Sequence, residues 1–169
     1  MAIKKATTLL PAKTALDWTA VIIATGLGSG YSPIAPGTAG TILAVPLYIL
    51  LTFYLQISLV SYLIFTLIII IVGSITAQRA GKHFGQVDAG HIVIDEIAGF
   101  LVTMTGITLS WPSLLVGFAL FRIFDIWKPW PVRYFDRNVA NGFGVVMDDV
   151  VAGLYALLIM QWLKYLQIF

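Results

Sequence analysis

The sequence predicts an all-helical membrane protein, and its composition and the distribution of its charges support this prediction. Hydrophobic residues make up 59% of the 169 residues and charged residues only 11%, whereas an ordinary soluble domain carries about 25% charged residues. Residues 18–78 contain no Asp, Glu, Lys or Arg. A soluble fold of this size could not keep so long a run away from water. We therefore expect residues 1–169 to form one domain, an integral membrane helical bundle.

The composition also restricts the chemistry. The chain has no cysteine, which excludes disulfides, thiolate metal sites and cysteine nucleophiles. Its net charge of +2 gives no reason to expect nucleic acid as a partner. The oligomeric state is not determined by any feature of the sequence.

The apolar segments predict about four to five membrane helices, preceded by an N-terminal interfacial helix. Residues 18–26 are too short to cross a hydrocarbon core, which needs roughly 20 residues, so we expect this segment at the interface. A loop rich in glycine and proline follows, and Thr38 lies where it passes into a helix whose free N–H groups are suited to a phosphate. A packing turn of small residues is the alternative. Membrane helices are expected at 39–55, 59–76 and 149–166, with a polar loop or helical extension at 77–91 and a flexible turn at 141–144.

The uncharged run 97–121 has two interpretations. One continuous span would place Asp95 and Asp125 on opposite membrane faces, about 30 Å apart. A helical hairpin over 92–128 that turns at Trp111 and Pro112 brings both acids to one face. With the hairpin, nine of the ten basic residues face one side, which the positive-inside rule identifies as the cytoplasm. We therefore expect the hairpin, with arms at 92–109 and 112–128.

The acidic residues are concentrated between residues 95 and 149, where six of the eight acids lie. Charged groups at the ends of membrane helices are expensive to desolvate and are therefore functional candidates. Gly99 and Gly153 follow Asp95 and Asp149 by four residues, so each glycine shares a helix face with an acid and lets the helices approach closely. Converging carboxylates repel one another unless a cation holds them. Hard oxygen ligands favour Mg²⁺ or Mn²⁺ over zinc. The candidate metal ligands are Asp95, Glu96, Asp125, Asp148 and Asp149.

The basic residues near these acids are suited to binding a phosphate group. Arg122 can alternatively pair with Asp125, one helical turn away, and Arg137 can instead contact anionic lipid. Asp136 is expected to orient the neighbouring arginines. His83 and His91 have no assigned role. The candidate phosphate ligands are Arg122, Lys128, Arg133, Arg137 and Thr38.

Residues 95–99 read DEIAG, and residues 121–131 read FRIFDIWKPWP. The first segment is similar to the DExxG motif of the phosphatidylglycerophosphatase A family, and the second matches the FRxxDxxKPWP signature of that family. Residues 32–38 and 142–149 resemble two further family segments. The resemblance covers roughly residues 17–155.

The resemblance implies a Mg²⁺-dependent hydrolysis of phosphatidylglycerophosphate to phosphatidylglycerol and phosphate. It implies an active site on the cytoplasmic side of the bacterial inner membrane, in contact with membrane lipids. Two alternatives remain open: a small cation-coupled transporter, which would need acids near the middle of the bilayer, and another membrane lipid phosphotransferase. The catalytic candidates are Asp95, Glu96, Asp125, Lys128, Arg133 and Asp149.

Overall fold

A computed structural model describes residues 14–169, and this part of the chain is helical without strands. A short 3₁₀ turn (Ser29–Tyr31) precedes the second helix, and a π-helical turn (Leu50–Tyr54) extends it. The predicted all-helical class is confirmed. Lys4, Lys5 and Lys13, which entered the charge count above, lie outside the described residues. The α-helices are α1 (Ala15–Ala24), α2 (Pro36–Ile49), α3 (Leu59–Phe84), α4 (Ile94–Thr103), α5 (Trp111–Trp127), α6 (Val132–Asn138) and α7 (Gly142–Tyr165).

Three helical segments of the described chain are long and apolar enough to cross a membrane: Pro36–Tyr54, Leu59–Phe84 and Gly142–Tyr165. The outer face of α3 shows why, because its exposed side chains include Leu63, Ile64 and Leu67. Such a face is stable against lipid and not against water. The predicted helical membrane bundle is confirmed. The α4 and α5 helices are shorter than these three, and α1, with ten residues, is too short to span.

The central helix, α7, packs against α3, α4, α5 and α6. Asn141 caps its start, since the Asn141 side chain accepts a hydrogen bond from the Gly144 N–H at 2.9 Å. The Gly142 N–H also donates to Gln78 Oε1 on α3, at 2.6 Å. The predictions of a flexible turn at 141–144 and a helix start at 149 are therefore wrong. As a result, Asp148 and Asp149 lie within α7 and not at its first residue.

Two other boundaries differ from the sequence predictions. The α3 helix continues to Phe84 and ends at Gly85, which has φ +71° and so takes the left-handed conformation that glycine adopts without strain. Residues 77–84 are therefore the helical extension, and the polar loop is confined to 85–93. The α2 helix begins at Pro36, three residues earlier than predicted, because proline is well suited to a first helical position.

The predicted hairpin at 92–128 is present. The α4 helix ends at Thr103, a non-helical segment covers 104–110, and α5 begins at Trp111 after a capping box between Ser110 and Ser113. The first arm is thus shorter as a helix than the predicted 92–109. The charged ends of both helices meet, since Arg122 Nη1 lies 3.8 Å from Glu96 Oε1.

Gly99 and Gly153 form a close backbone contact between α4 and α7. A Cβ added at Gly99 would lie 2.7 Å from the carbonyl oxygen of Asp149, and one added at Gly153 would collide with the carbonyl oxygen of Gly99. The predicted close approach is confirmed. This contact sets the separation of the helices that carry Asp95 and Asp149.

We expect Gly153→Ala to lower the free energy of unfolding by about 1–3 kcal/mol. Alanine gains up to about 1 kcal/mol of helix propensity over glycine, but the Gly99 backbone that its Cβ meets cannot rotate away. Thermal unfolding in detergent measures the change. Gly90→Ala is the control, because a Cβ there meets nothing within 4 Å. Equal melting temperatures for the two variants would contradict this account of the contact.

Candidate active site

The charged ends of α4, α5 and α7 line one open cavity of about 380 Å³. The start of α2 forms part of its wall, through Ala35, Pro36 and Gly37. The cavity therefore brings together acidic and basic side chains that are separated by up to about 60 residues in the sequence. Its charged lining residues are Asp88, Asp95, Glu96, Arg122, Asp125, Lys128, Asp148 and Asp149.

Three carboxylates form the acidic centre of this cavity. One oxygen each from Asp95, Glu96 and Asp149 lies within 4.8 Å of the other two. Asp95 and Asp149 are buried, with 6% and 3% of their surface exposed. The Glu96 N–H donates to Asp95 Oδ1 at 3.1 Å, which orients that carboxylate. Three acids at this separation repel one another strongly when all are ionised.

The environment of the two α4 acids opposes their ionisation. Burial raises the pKa of Asp95 well above its ordinary value, and the Glu96 charge raises it further. Burial also raises the pKa of Glu96 to about 8; a hydrogen bond with Asp95 opposes this rise, and the Asp149 and Asp125 charges add to it. A bound cation would reverse this preference, because an opposite charge favours the ionised form.

The donor set of the acidic centre fits a hard divalent cation such as Mg²⁺. It offers carboxylate oxygens alone, which Mg²⁺ prefers. Glu96 Oε2 and Asp148 Oδ1 are buried and have no hydrogen-bond partner within residues 14–169. Buried polar atoms are almost always satisfied in folded proteins, so these two oxygens are available to bind a cation.

The other two predicted metal ligands are each paired with a cation. Arg122 Nη1 lies 2.7 Å from Asp125 Oδ2. Lys128 Nζ lies 2.6 Å from Asp148 Oδ2. Among the five candidates, Asp125 and Asp148 are thus each in short contact with a basic side chain, whereas the crowded group of three has only the longer contact of Glu96 with Arg122, at 3.8 Å.

Lys128 is held by two acids at the C-terminal end of α5. Its Nζ donates to Asp148 and, at 2.9 Å, to Asp136 on α6. Burial alone would lower the pKa of Lys128, but the Asp148 charge and the hydrogen bonds to Asp148 and Asp136 outweigh it and raise the pKa above its ordinary value. The side chain is therefore a permanent cation at the edge of the cavity.

Comparison with known proteins identifies the family of this site. The family model described as phosphatidylglycerophosphatase A matches residues 22–164, a range that contains the whole lining of the cavity. The chain belongs to the phosphatidylglycerophosphatase A family. It is accordingly a lipid phosphatase, a phosphoric monoester hydrolase, as the sequence motifs predicted.

Curated relatives support the same family membership. Phosphatidylglycerophosphatase A of Escherichia coli is 40% identical over 137 residues, which cover 79% of this chain and 76% of that protein. The Haemophilus influenzae protein of the same name is 40% identical over 145 residues, or 85% and 88% of the two chains. A Bacteroides thetaiotaomicron protein with the provisional name phosphatidylinositol-3-phosphatase is 38% identical over 145 residues, or 82% and 89%. No solved structure matches the chain.

Three of the predicted phosphate ligands do not line the cavity of this phosphatase. Arg133 and Arg137 line a separate cavity of about 510 Å³, together with Trp127 and Trp130. Thr38 is one residue beyond the part of α2 that reaches the acids. It is Gly37 that contacts the site, because a Cβ there would touch Glu96 Oε1 and lie 3.2 Å from Arg122 Nη1.

The sequence reasoning missed Asp88 and misjudged the partner of Asp136. Asp88 lies in the loop before α4 and lines the acid cavity. Its position in a polar loop, seven residues before Asp95, was the one feature of the sequence that could have indicated this. Asp136 was expected to orient the arginines, but its carboxylate binds Lys128. His91 lies outside this cavity and stacks on Phe84, with ring centroids 5.2 Å apart.

Proposed function

We propose that this phosphatase removes the terminal phosphate of phosphatidylglycerophosphate in a Mg²⁺-dependent reaction. Water supplies the oxygen that ends on inorganic phosphate and the proton that ends on the glycerol hydroxyl of phosphatidylglycerol. The observation that carries the proposal is the convergence of Asp95, Glu96 and Asp149 beside Arg122 in one cavity. The names of the Escherichia coli and Haemophilus influenzae relatives support the substrate.

The acidic centre would hold the metal through Asp95, Glu96 and Asp149. A bound Mg²⁺ would supply Lewis acidity, offsetting the charge of the phosphoryl oxygens and activating water. Asp125 and Asp148 would lie outside the metal-binding group, since each is in short contact with a basic side chain. They keep Arg122 and Lys128 at the wall of the cavity, where the phosphate would bind.

Arg122 is the best-placed phosphate ligand. Its guanidinium lies between Glu96 and Asp125, and its Nε has no hydrogen-bond partner among the described residues. Guanidinium groups bind phosphate with paired, charge-assisted hydrogen bonds. Lys128 has three donors, of which Asp136 and Asp148 use two. The third has no acceptor within residues 14–169 and can bind a phosphoryl oxygen.

The charge distribution supports a cytoplasmic active site in the bacterial inner membrane. Arg79, near the end of α3, pairs with Asp17, and α3 meets the start of α7 through Gln78. These contacts place Arg79 at the same end of the bundle as the acid cavity. Lys164 lies at the other end of α7 and binds the Gly106 carbonyl oxygen. Basic residues collect on the cytoplasmic side of membrane proteins.

Two other functions remain as competing hypotheses. The Bacteroides thetaiotaomicron relative favours phosphatidylinositol 3-phosphate as a second candidate substrate, since the bond broken is again a phosphomonoester. A transporter is disfavoured, because Asp148 and Asp149 are the seventh and eighth of the 24 residues of α7, whereas a translocated cation needs acids near the middle of a span.

Phosphate release by the purified protein tests the proposal. Both lipids are assayed in the same detergent, with Mg²⁺ and after EDTA treatment, and with glycerol present to detect phosphoryl transfer to an acceptor. We expect a higher kcat/KM for phosphatidylglycerophosphate and loss of activity in EDTA that added Mg²⁺ restores. Full activity in EDTA would refute the metal requirement. A preference for phosphatidylinositol 3-phosphate would refute the substrate, and a phosphorylated acceptor would refute simple hydrolysis.

A further inference from the structure

The cavity that contains Arg133 and Arg137 differs chemically from the acid cavity. It is formed by the last residue of α5, the turn that follows and α6, and has a volume of about 510 Å³. None of its lining residues in the described chain is acidic, so a divalent cation has no ligand set there. Its walls are basic and aromatic. The side chains that matter below are Arg133, Arg137, Trp127, Trp130 and Tyr134.

The α6 helix presents both arginines on one exposed face. Val132 is fully buried and fixes the helix to the bundle, where α6 packs against α7. Arg133 and Arg137 are exposed and four residues apart, so their side chains are neighbours on the helix surface.

No ion pair within the described part of the chain compensates the charges of these two arginines. Neither guanidinium lies within 4.0 Å of a carboxylate in residues 14–169. Asp136, the nearest acid in sequence, binds Lys128 at 2.9 Å. This face of α6 therefore carries two positive charges and attracts an anion.

The aromatic side chains indicate the kind of anion. Trp127, the last residue of α5, and Trp130, in the turn that follows, are 64% and 79% exposed. Exposed indoles beside basic residues are typical of the membrane–water interface, where the rings contact lipid and the cations contact phosphate. The fork of donors on a guanidinium matches the oxygens of a phosphate group.

We propose that this cavity binds the phosphodiester group of an anionic glycerophospholipid, with Arg133 and Arg137 on the phosphate oxygens and Trp130 against the apolar part of the lipid. Lys128 connects this site to the active site, because it lines the acid cavity while its chain neighbours Trp127 and Pro129 line the lipid cavity. The lipid site does not depend on which phosphomonoester the enzyme hydrolyses.

Lipid retention by the full-length protein tests the proposal. Delipidated protein in detergent is titrated with phosphatidylglycerol or with phosphatidylcholine of the same acyl chains, and bound lipids are counted by native mass spectrometry. We expect wild type to prefer phosphatidylglycerol by about tenfold or more. The variant Arg133→Gln/Arg137→Gln should lose this preference, and Arg137→Gln alone should weaken it.

The control is Arg79→Gln, which makes the same chemical change at an arginine already paired with Asp17; it should keep the preference. Trp130→Ala should lower the retention of both lipids. Unfolding temperatures establish that each variant is folded. The proposal is overturned if the double variant still prefers phosphatidylglycerol, or if wild type binds both lipids equally. Displacement of phosphatidylglycerol by inorganic phosphate at comparable concentration would also overturn it, since the cavity would then be a site for free phosphate.

Discussion

Asp149→Asn should reduce phosphate release roughly a thousandfold, and Asp95→Asn should have a similar effect, as expected when a preorganised charged group of an active site is lost. Asparagine is nearly isosteric with aspartate, so the substitution tests charge and ligation and not packing. Each variant removes one of the three carboxylates whose oxygens lie within 4.8 Å of one another. The measurements are kcat, kcat/KM and the Mg²⁺ concentration that gives half-maximal activity, and we expect that concentration to rise.

Thermal unfolding gives a second readout that does not depend on turnover. Mg²⁺ should stabilise wild type, because a ligand that binds the folded state shifts unfolding to higher temperature, and it should stabilise the two variants much less. In EDTA the variants should be at least as stable as wild type, since the substitution removes repulsion. Asp17→Asn is the matched control, because Asp17 pairs with Arg79 outside the cavity. Activity in both active-site variants would show that the acidic centre is not the metal site.

Lys128→Ala should lower kcat about a hundredfold, corresponding to the loss of roughly 3 kcal/mol of transition-state stabilisation. It should also lower the free energy of unfolding by about 1–3 kcal/mol, because Asp148, only 4% exposed, loses the cation that lies 2.6 Å away. Turnover and thermal unfolding in detergent measure the two effects separately.

A double variant separates the two roles of Lys128. In Lys128→Ala/Asp148→Asn no buried charge is left without its partner, so stability should recover while kcat stays low. Asp136→Asn should have a smaller effect on kcat, since Lys128 keeps its contact with Asp148. Turnover of Lys128→Ala within twofold of wild type would show that this lysine serves the structure alone.

The membrane character and the helical segments could be predicted from the sequence because both depend on local composition. Residues 18–78 carry no charge, and so long an apolar stretch favours a membrane environment in any tertiary arrangement. The end of α7 was predicted well, but its start was not. Asn141 and Gly142 look like a turn in isolation, and the contact of Gly142 with Gln78 depends on the packing of α3.

The residues of the acid cavity could also be predicted, because charge is rare in this chain and each charged residue carries information. The hairpin was predicted for the same reason. Residues 97–121 carry no charge, so Asp95 and Asp125 lie on opposite membrane faces if this run is one span and on the same face if it is a hairpin. The exception was Asp88, whose loop had no periodicity that would have placed it near Asp95.

By itself, the sequence determined that this protein is a helical membrane phosphatase with its charges gathered at one end. Only the tertiary structure decided how those charges are divided. Asp148 and Asp149 are adjacent, yet neighbouring residues of a helix point about 100° apart, so Asp149 joins Asp95 and Glu96 while Asp148 binds Lys128. That division depends on the rotation of α7 between α4 and α6, which the contact of Gly99 with Gly153 helps to set and which no local pattern encodes.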